Sequence, residues 1–356
     1  MSNTLTDTTQ SNEAAPRTKK SPLSGLSFDS SAPLLEVENL QVEFHTRDGV
    51  AHAVNDVSFK LGEGETLGIL GESGCGKSVT AQAIMGILDT PPAKVTGGQV
   101  RYRGVDLLQL DEKTRRHIRA NKIAMIFQDA LSSLNPVFTV GWQLGELYRK
   151  HTGASRKEAR AKAVELLELV GIPAAKARVN DYPHQFSGGM RQRVMIAMAL
   201  ALEPDVIIAD EPTTALDVTV QAQVMTLLSD LQREMQLGLI LITHDMGVVA
   251  DVADKICVMY AGHAVEQADV FEIYEQPAHP YTKALLESIP RIDQKGQELT
   301  VIKGLPPALV NPPSGCAFHP RCRFAQDRCK TDEPPLYKLP GNRRSACHYW
   351  EEVVKS

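Results

Sequence analysis

Hydrophobic and polar positions change period several times along the chain, and each change marks an element. Residues 1–32 hold 15 Ser, Thr, Asn or Gln residues and only isolated hydrophobes. Such a stretch buries too little apolar surface to offset the entropy of ordering, which predicts a disordered N-terminal tail. Apolar alternation begins at LLEVENLQVEF (34–44) and resumes in AHAVNDVSFKL after the Asp48-Gly49 turn signal, predicting a β-rich opening. ETLGILG (65–71) is a short apolar strand that runs into a glycine-rich loop and then into a helical pattern from Lys77 to Leu88. KIAMIFQ (122–128) reads as another strand. From about 129 to 186 the period becomes helical, with RKEARAKAVELLELV carrying apolar residues at helical spacing until Gly171 and Pro173 end it. Beyond, VIIAD, LGLILIT and KICVMYA alternate with the helical stretches VTVQAQVMTLLSDLQREM and MGVVADVA. Strands without a polar face are covered on both sides, so the fold class predicted is α/β, a largely parallel sheet between helices.

Composition separates the end of the chain from its body. Hydrophobic residues at 43% and charged residues at 23% suit a globular protein and exclude disorder over most of the 356 residues. The net charge is −5, but residues 290–356 carry +4 and the first 289 carry −9. That last segment is rich in Pro and Cys and poor in periodic pattern, which predicts a separate, small, loop-rich domain over 290–356. The longest apolar run, VMIAMALAL (194–202), is about half of what a spanning helix needs, so the chain is not expected to cross a bilayer by itself. The N-terminus has neither a basic start nor an apolar core, and no secretory signal is expected there.

GESGCGKS (71–78) fits the phosphate-loop pattern in its required setting of strand, loop and helix. Gly71, Glu72, Ser73, Gly74, Cys75, Gly76 and Val79 belong to a backbone that curls around phosphates. Lys77 supplies a charge to the β- and γ-phosphates, and the Ser78 hydroxyl can ligate Mg2+. VIIADE (206–211) places Asp210 at a strand end as a second Mg2+ ligand and Glu211 beside it to polarise an attacking water. SGGM (Ser187, Gly188, Gly189, Met190) opens an apolar helix and so offers a second anion-binding N-terminus, which a chain with one P-loop needs only if each copy faces a partner's nucleotide. Cys75 lies near a helix N-terminus that can lower a thiol pKa; it is either a site of sensitivity to thiol reagents or merely a small tolerated residue.

These motifs, in this order, resemble the ATP-binding subunits of ABC transporters, over residues 34 to 286. The resemblance implies a P-loop ABC ATPase cassette over 33–289, with antiparallel β and helical subdomains, the latter at about 129–186. It implies that Gln128 contacts Mg2+ and couples the site to a membrane partner. His244, in ITHD, would hold the γ-phosphate and attacking water, and Asp217, in TALD, would act across a dimer. Phe44 is the candidate adenine-stacking aromatic, with a core-strand role as its alternative and His52 as a second candidate. IFQDALSSLNPVFTVGWQ, YPHQFSGGMRQRVMIAMAL and HPYTKALLESIP further resemble the D-type ATPase of dipeptide and oligopeptide importers. This implies ATP and Mg2+, a head-to-tail pair with an F-type ATPase, two permeases, a solute-binding protein, and a peripheral place on the cytoplasmic face of the membrane. Haem, nickel, opine and antimicrobial-peptide transporters share this ATPase type. A soluble ABC protein acting on nucleic acid or ribosomes is the rival reading, but the acidic body lacks a basic stripe, and no nucleic-acid partner is expected.

Four of six cysteines, Cys316, Cys322, Cys329 and Cys347, fall near the end, at intervals without the two-to-four-residue pairs of zinc ribbons. A [4Fe–4S] cluster, zinc, or free thiols and disulfides remain open from spacing alone; the resemblance favours the cluster. Arg321, Arg323, Arg328, Arg343 and Arg344 could offset its charge.

Overall fold

The computed structural model describes residues 23, 25–128, 133–214, 216–289 and 302–356. Most of the predicted tail, residues 129–132 at the predicted start of the helical subdomain, Ala215 of TALD and the predicted boundary at 290 lie outside them. Where residues 23–32 are described, they pack. Leu23, Leu26 and Phe28 lie against the core, and the Phe28 ring meets Tyr102 edge-on at 5.3 Å. The Asp29 N–H donates to the Arg103 carbonyl. The described residues ahead of 33 thus pack on the body, a correction to a disordered tail reaching residue 32, because these three apolar side chains lie against its core.

The alternating opening forms β1 (Leu35–Thr46) and β2 (Gly49–Leu61), and the apolar run before the glycine-rich loop forms β3 (Thr66–Leu70). β4 (Ala93–Tyr102) and β5 (Val105–Asp106) join the first two in an antiparallel sheet ordered β2-β1-β4-β5. The second sheet takes in β6 (Ile123–Ile126), β7 (Val206–Asp210), β8 (Gly238–Thr243), β9 (Lys255–Tyr260) and β10 (His263–Asp269). Two short strands, β11 (Tyr337–Lys338) and β12 (Arg344–Ser345), complete the order β11-β12-β10-β9-β3-β8-β7-β6. It is parallel from β9 to β6 and antiparallel beyond. In β7, Val206 and Ile208 enter one core while Ile207 and Ala209 enter the other, which is why the strand has no polar face.

Helix α1 (Lys77–Met85) follows the glycine-rich loop and stops short of the predicted Leu88 because Gly86 adopts a left-handed C-cap. α2 (Glu112–Asn121) precedes β6. The helical insertion contains α3 (Val140–Thr152), α4 (Arg156–Leu169) and α5 (Ala175–Arg178), α4 opening on a Ser155/Glu158 capping box. α6 (Gly188–Leu200), α7 (Val218–Met235) and α8 (Met246–Val252) flank the parallel strands. α9 (Val270–Glu275), α10 (Pro280–Glu287), α11 (Asp327–Thr331) and α12 (Trp350–Lys355) belong to the C-terminal part. No helix among the described residues is long and apolar enough to cross a membrane.

Residues 302–356, the described part of the separate domain predicted over 290–356, do not stand apart from the body. Glu266 and Gln267 of β10 pair with Ser345 and Arg344 of β12, so the segment extends the main sheet. Phe318 and Ala346 are buried in the same core as Ile273 and Tyr281.

Candidate nucleotide site

The parallel strand order brings the ends of β3, β8, β7 and β6 side by side, and the site residues sit just past those ends. The loop after β3 curls tightly. Gly76 has φ +105 and N-caps α1, and a Cβ there would lie 2.3 Å from the Ala53 carbonyl oxygen. No side chain fits that position. Lys77 is 4% exposed, and its Nζ donates to the Gly71 carbonyl at 2.8 Å and the Glu72 carbonyl at 3.1 Å. Its stem is therefore packed and its charge is held inside the loop, where anionic phosphates would replace carbonyl oxygens. The first turn of α1 carries no acidic side chain of its own to compete with an anion for its positive end. Ser78 Oγ donates to Asp210 Oδ1 at 3.0 Å, and burial pushes the Asp210 carboxyl up. A hydroxyl and a carboxylate side by side are the hard oxygen donors that suit Mg2+.

Glu211 leaves strand geometry with φ +46, its N–H bonded to the Ile242 carbonyl of β8 at 2.8 Å. This strained turn is held by the neighbouring strand and brings the side chain to the cavity above the loop. Glu211 Oε2 accepts from Gln128 Nε2 at 2.8 Å and from Thr214 Oγ1 at 3.0 Å, while Oε1 lies 3.3 Å from His244 Nδ1. Gln128, Glu211 and His244 line one cavity of about 570 Å3 with the P-loop, and Ala53, Leu285 and Leu309 form its apolar side. The arrangement can bind polyphosphate at one end and hold a carboxylate, an imidazole and an amide around a water at the other.

Other predicted site residues lie elsewhere. Phe44 is half-buried in β1, packs against the core and does not line the cavity, so the structure favours its core-strand role. His52 is exposed and faces Glu43 at 3.4 Å. Cys75 is 5% exposed inside the second core, and burial pushes its thiol up. Of the two readings of Cys75, this favours the small tolerated residue: desolvation outweighs the nearby Lys77 charge and the backbone donors. Its backbone remains part of the loop, and its N–H donates to the Glu72 carbonyl. Ser187 N-caps α6, accepting from the Met190 N–H at 3.4 Å; Ser187 and Gly188 are exposed, and the motif does not line its own chain's cavity. Gly189 permits close packing, since a Cβ there would meet Val220 Cγ1 at 2.4 Å. Asp217 is exposed and caps α7 through the Val220 N–H.

Cys316, Cys322, Cys329 and Cys347 converge on one small enclosed cavity, walled partly by Phe318 and Phe324. The Phe324 N–H donates to Cys322 Sγ at 3.3 Å. Burial pushes Cys322 up to about 11 and Cys347 up to about 12, so a bound metal would have to displace their protons. No three metal-binding side chains among the described residues are close enough to hold a single ion. The arginines expected to offset the cluster's charge are largely engaged elsewhere: Arg321 with Glu72, Arg323 with Glu287, Arg328 with Asp332 and Arg343 with the Gln276 carbonyl. Sequence reasoning missed two partners of the site. Thr214 was within reach, as the first residue of TALD, whereas Arg321 had no local signal linking it to the P-loop.

A phosphate loop, a Mg2+-type oxygen pair and a positioned carboxylate at the ends of parallel strands define a nucleotide-hydrolysing P-loop cassette. The family described as ABC transporter matches residues 54–214, and the one described as Oligopeptide/dipeptide transporter, C-terminal region, matches residues 265–329. The Dipeptide transport ATP-binding protein DppD of Bacillus subtilis is 55% identical over 289 residues, 81% of this chain and 86% of that protein. The Oligopeptide transport ATP-binding protein OppD of Salmonella typhimurium is 51% identical over 314 residues, 88% and 93% of the two chains. Among solved structures, the dimeric post-hydrolysis state of the ATP-binding cassette MJ0796, bound to ADP and Pi, superposes with a TM-score of 0.59 at 30% identity. The match covers 66% of this chain and 98% of that one. The chain belongs to the ABC transporter ATP-binding proteins, within the group of D-type dipeptide and oligopeptide transport ATPases.

Proposed function

We propose that this ATPase powers the uptake of di- and oligopeptides from the cytoplasmic face of the membrane. The observation that carries the reading is its kinship with peptide-transport ATPases across both the cassette and the C-terminal region. Lys77 and the P-loop backbone bind the phosphates. Ser78 and Asp210, with Gln128 beside them, would hold Mg2+, which supplies charge neutralisation at the β- and γ-phosphates. Glu211 accepts a proton from the attacking water, and His244 orients it.

The exposed SGGM turn supports a head-to-tail pair in which Ser187, Gly188, Gly189 and Met190 face the partner's nucleotide and Asp217 lies at the interface. We assign the partner to the F-type ATPase. An apolar groove of about 1080 Å3, lined by Ile87, Phe127, Leu147, Met195 and Met198, suits a cytoplasmic helix of a permease; Phe127 is 40% exposed there. Gln128 adjoins Phe127, so a shift in the groove reaches Glu211 through one hydrogen bond. ATP closes the pair and hydrolysis reopens it. A solute-binding protein delivers the peptide.

A strain lacking the chain should lose uptake of labelled di- and oligopeptides, and the native gene should restore it. Unchanged peptide uptake, with loss of nickel, haem or opine uptake instead, would reassign the solute.

The four cysteines would hold a [4Fe–4S] cluster, which supplies a cross-link for a loop-rich segment with few strands of its own. Anaerobically purified protein should be brown and contain about four iron and four sulfide per chain. Colourless protein with stoichiometric zinc would overturn the cluster.

A further inference from the structure

Arg321, one residue before Cys322, reaches out of the cysteine segment to the phosphate loop. Its NH1 and NH2 donate to Glu72 Oε2 at 2.6 Å and Oε1 at 3.0 Å, a two-pronged ion pair between residues 249 positions apart. The arginine side chain is 5% exposed and lies over the Tyr260 ring, 5.8 Å from its centroid. Tyr260 packs on Phe318 at 5.2 Å and Tyr281 at 4.7 Å, and the Tyr281 hydroxyl accepts from the Glu72 N–H at 2.8 Å. The Glu72 carbonyl in turn accepts from Lys77 Nζ. Glu72 is thus held at its N–H, its carbonyl and its carboxylate. Two of these three holds come from outside the P-loop.

Glu72 also lines the cavity that receives the phosphates. An acid at the rim of a polyphosphate site repels its ligand unless a cation neutralises it. No lysine or arginine besides Arg321 pairs with the Glu72 carboxylate among the described residues. We propose that Arg321 is a positioning residue for nucleotide binding. From the cysteine segment it neutralises Glu72 and holds the start of the P-loop, so the C-terminal module sets the ATP affinity of the cassette. This rests on the nucleotide-site reading above.

The test is titration of full-length protein with a fluorescent ATP analogue. Arg321→Ala strands the carboxylate beside the phosphates and should weaken binding about tenfold, less at high salt. Adding Glu72→Gln removes the stranded charge and should restore binding to within about threefold. A merely structural arginine would give a double variant no better than the single, and that result, or native affinity in Arg321→Ala, overturns the proposal. Should the alanine variant fail to fold, Arg321→Met keeps the stem over Tyr260 and carries the same comparison. Lys77→Ala serves as the control: native binding in that variant would refute the nucleotide site itself.

Discussion

Glu211→Gln should stop turnover while leaving nucleotide binding intact. The amide has the shape of the carboxylate. Its oxygen can still accept from Thr214, and its remaining contacts to Gln128 and His244 are at the same distances or adjust by an amide flip. The strained turn at φ +46 is set by the Ile242 contact and does not depend on the side chain's charge. What the substitution removes is the capacity to take a proton from water, worth about 1,000-fold in rate for a positioned general base. Phosphate release, measured with ATP binding in the same preparation, should separate the two. The paired, ATP-bound state should also persist in Glu211→Gln. A variant that hydrolyses at the native rate would remove Glu211 from the role of base.

Lys77→Ala should act one step earlier and abolish binding. The ammonium is buried, and its only acceptors among the described residues are the carbonyls of Gly71 and Glu72. Removing it takes the ammonium from the Gly71 carbonyl, leaves the Glu72 carbonyl with the Cys75 N–H, and removes a buried cation from the place the phosphates would occupy. A loss of about 100-fold in affinity for the ATP analogue is expected, and with it loss of turnover. The two variants together order the pathway: one binds without hydrolysing, the other does neither. Native affinity in Lys77→Ala would refute the P-loop assignment.

Much of this site was legible because its motifs are local. A phosphate loop needs glycines, a lysine and a hydroxyl within eight residues, and that spacing is visible without a fold. The α/β class was legible for a similar reason, since apolar runs such as VIIAD and LGLILIT have no polar face. The two readings of Cys75 stayed open because proximity to a helix N-terminus is a local feature while burial is not. The two readings of Phe44 stayed open because a strand's alternation does not reveal which sheet covers it. The cysteine tail looked independent because its short strands carry no periodic signal. Its pairing partner, β10, lies about 80 residues upstream of β12.

The sequence by itself determined which residues form a phosphate-loop pattern, which carboxylates follow an apolar strand, and that strands would alternate with helices. Tertiary structure alone decided the neighbours. The order β3-β8-β7-β6 set Gln128, Glu211 and His244 around one cavity, and sheet extension through β10 and β12 brought the cysteine segment into the cassette. The physical reason is the range of the forces. Backbone curvature and side-chain chemistry act within a few residues, whereas desolvation and ion pairing depend on what packing brings within a few ångströms. Arg321 and Glu72, 249 positions apart, became partners only there.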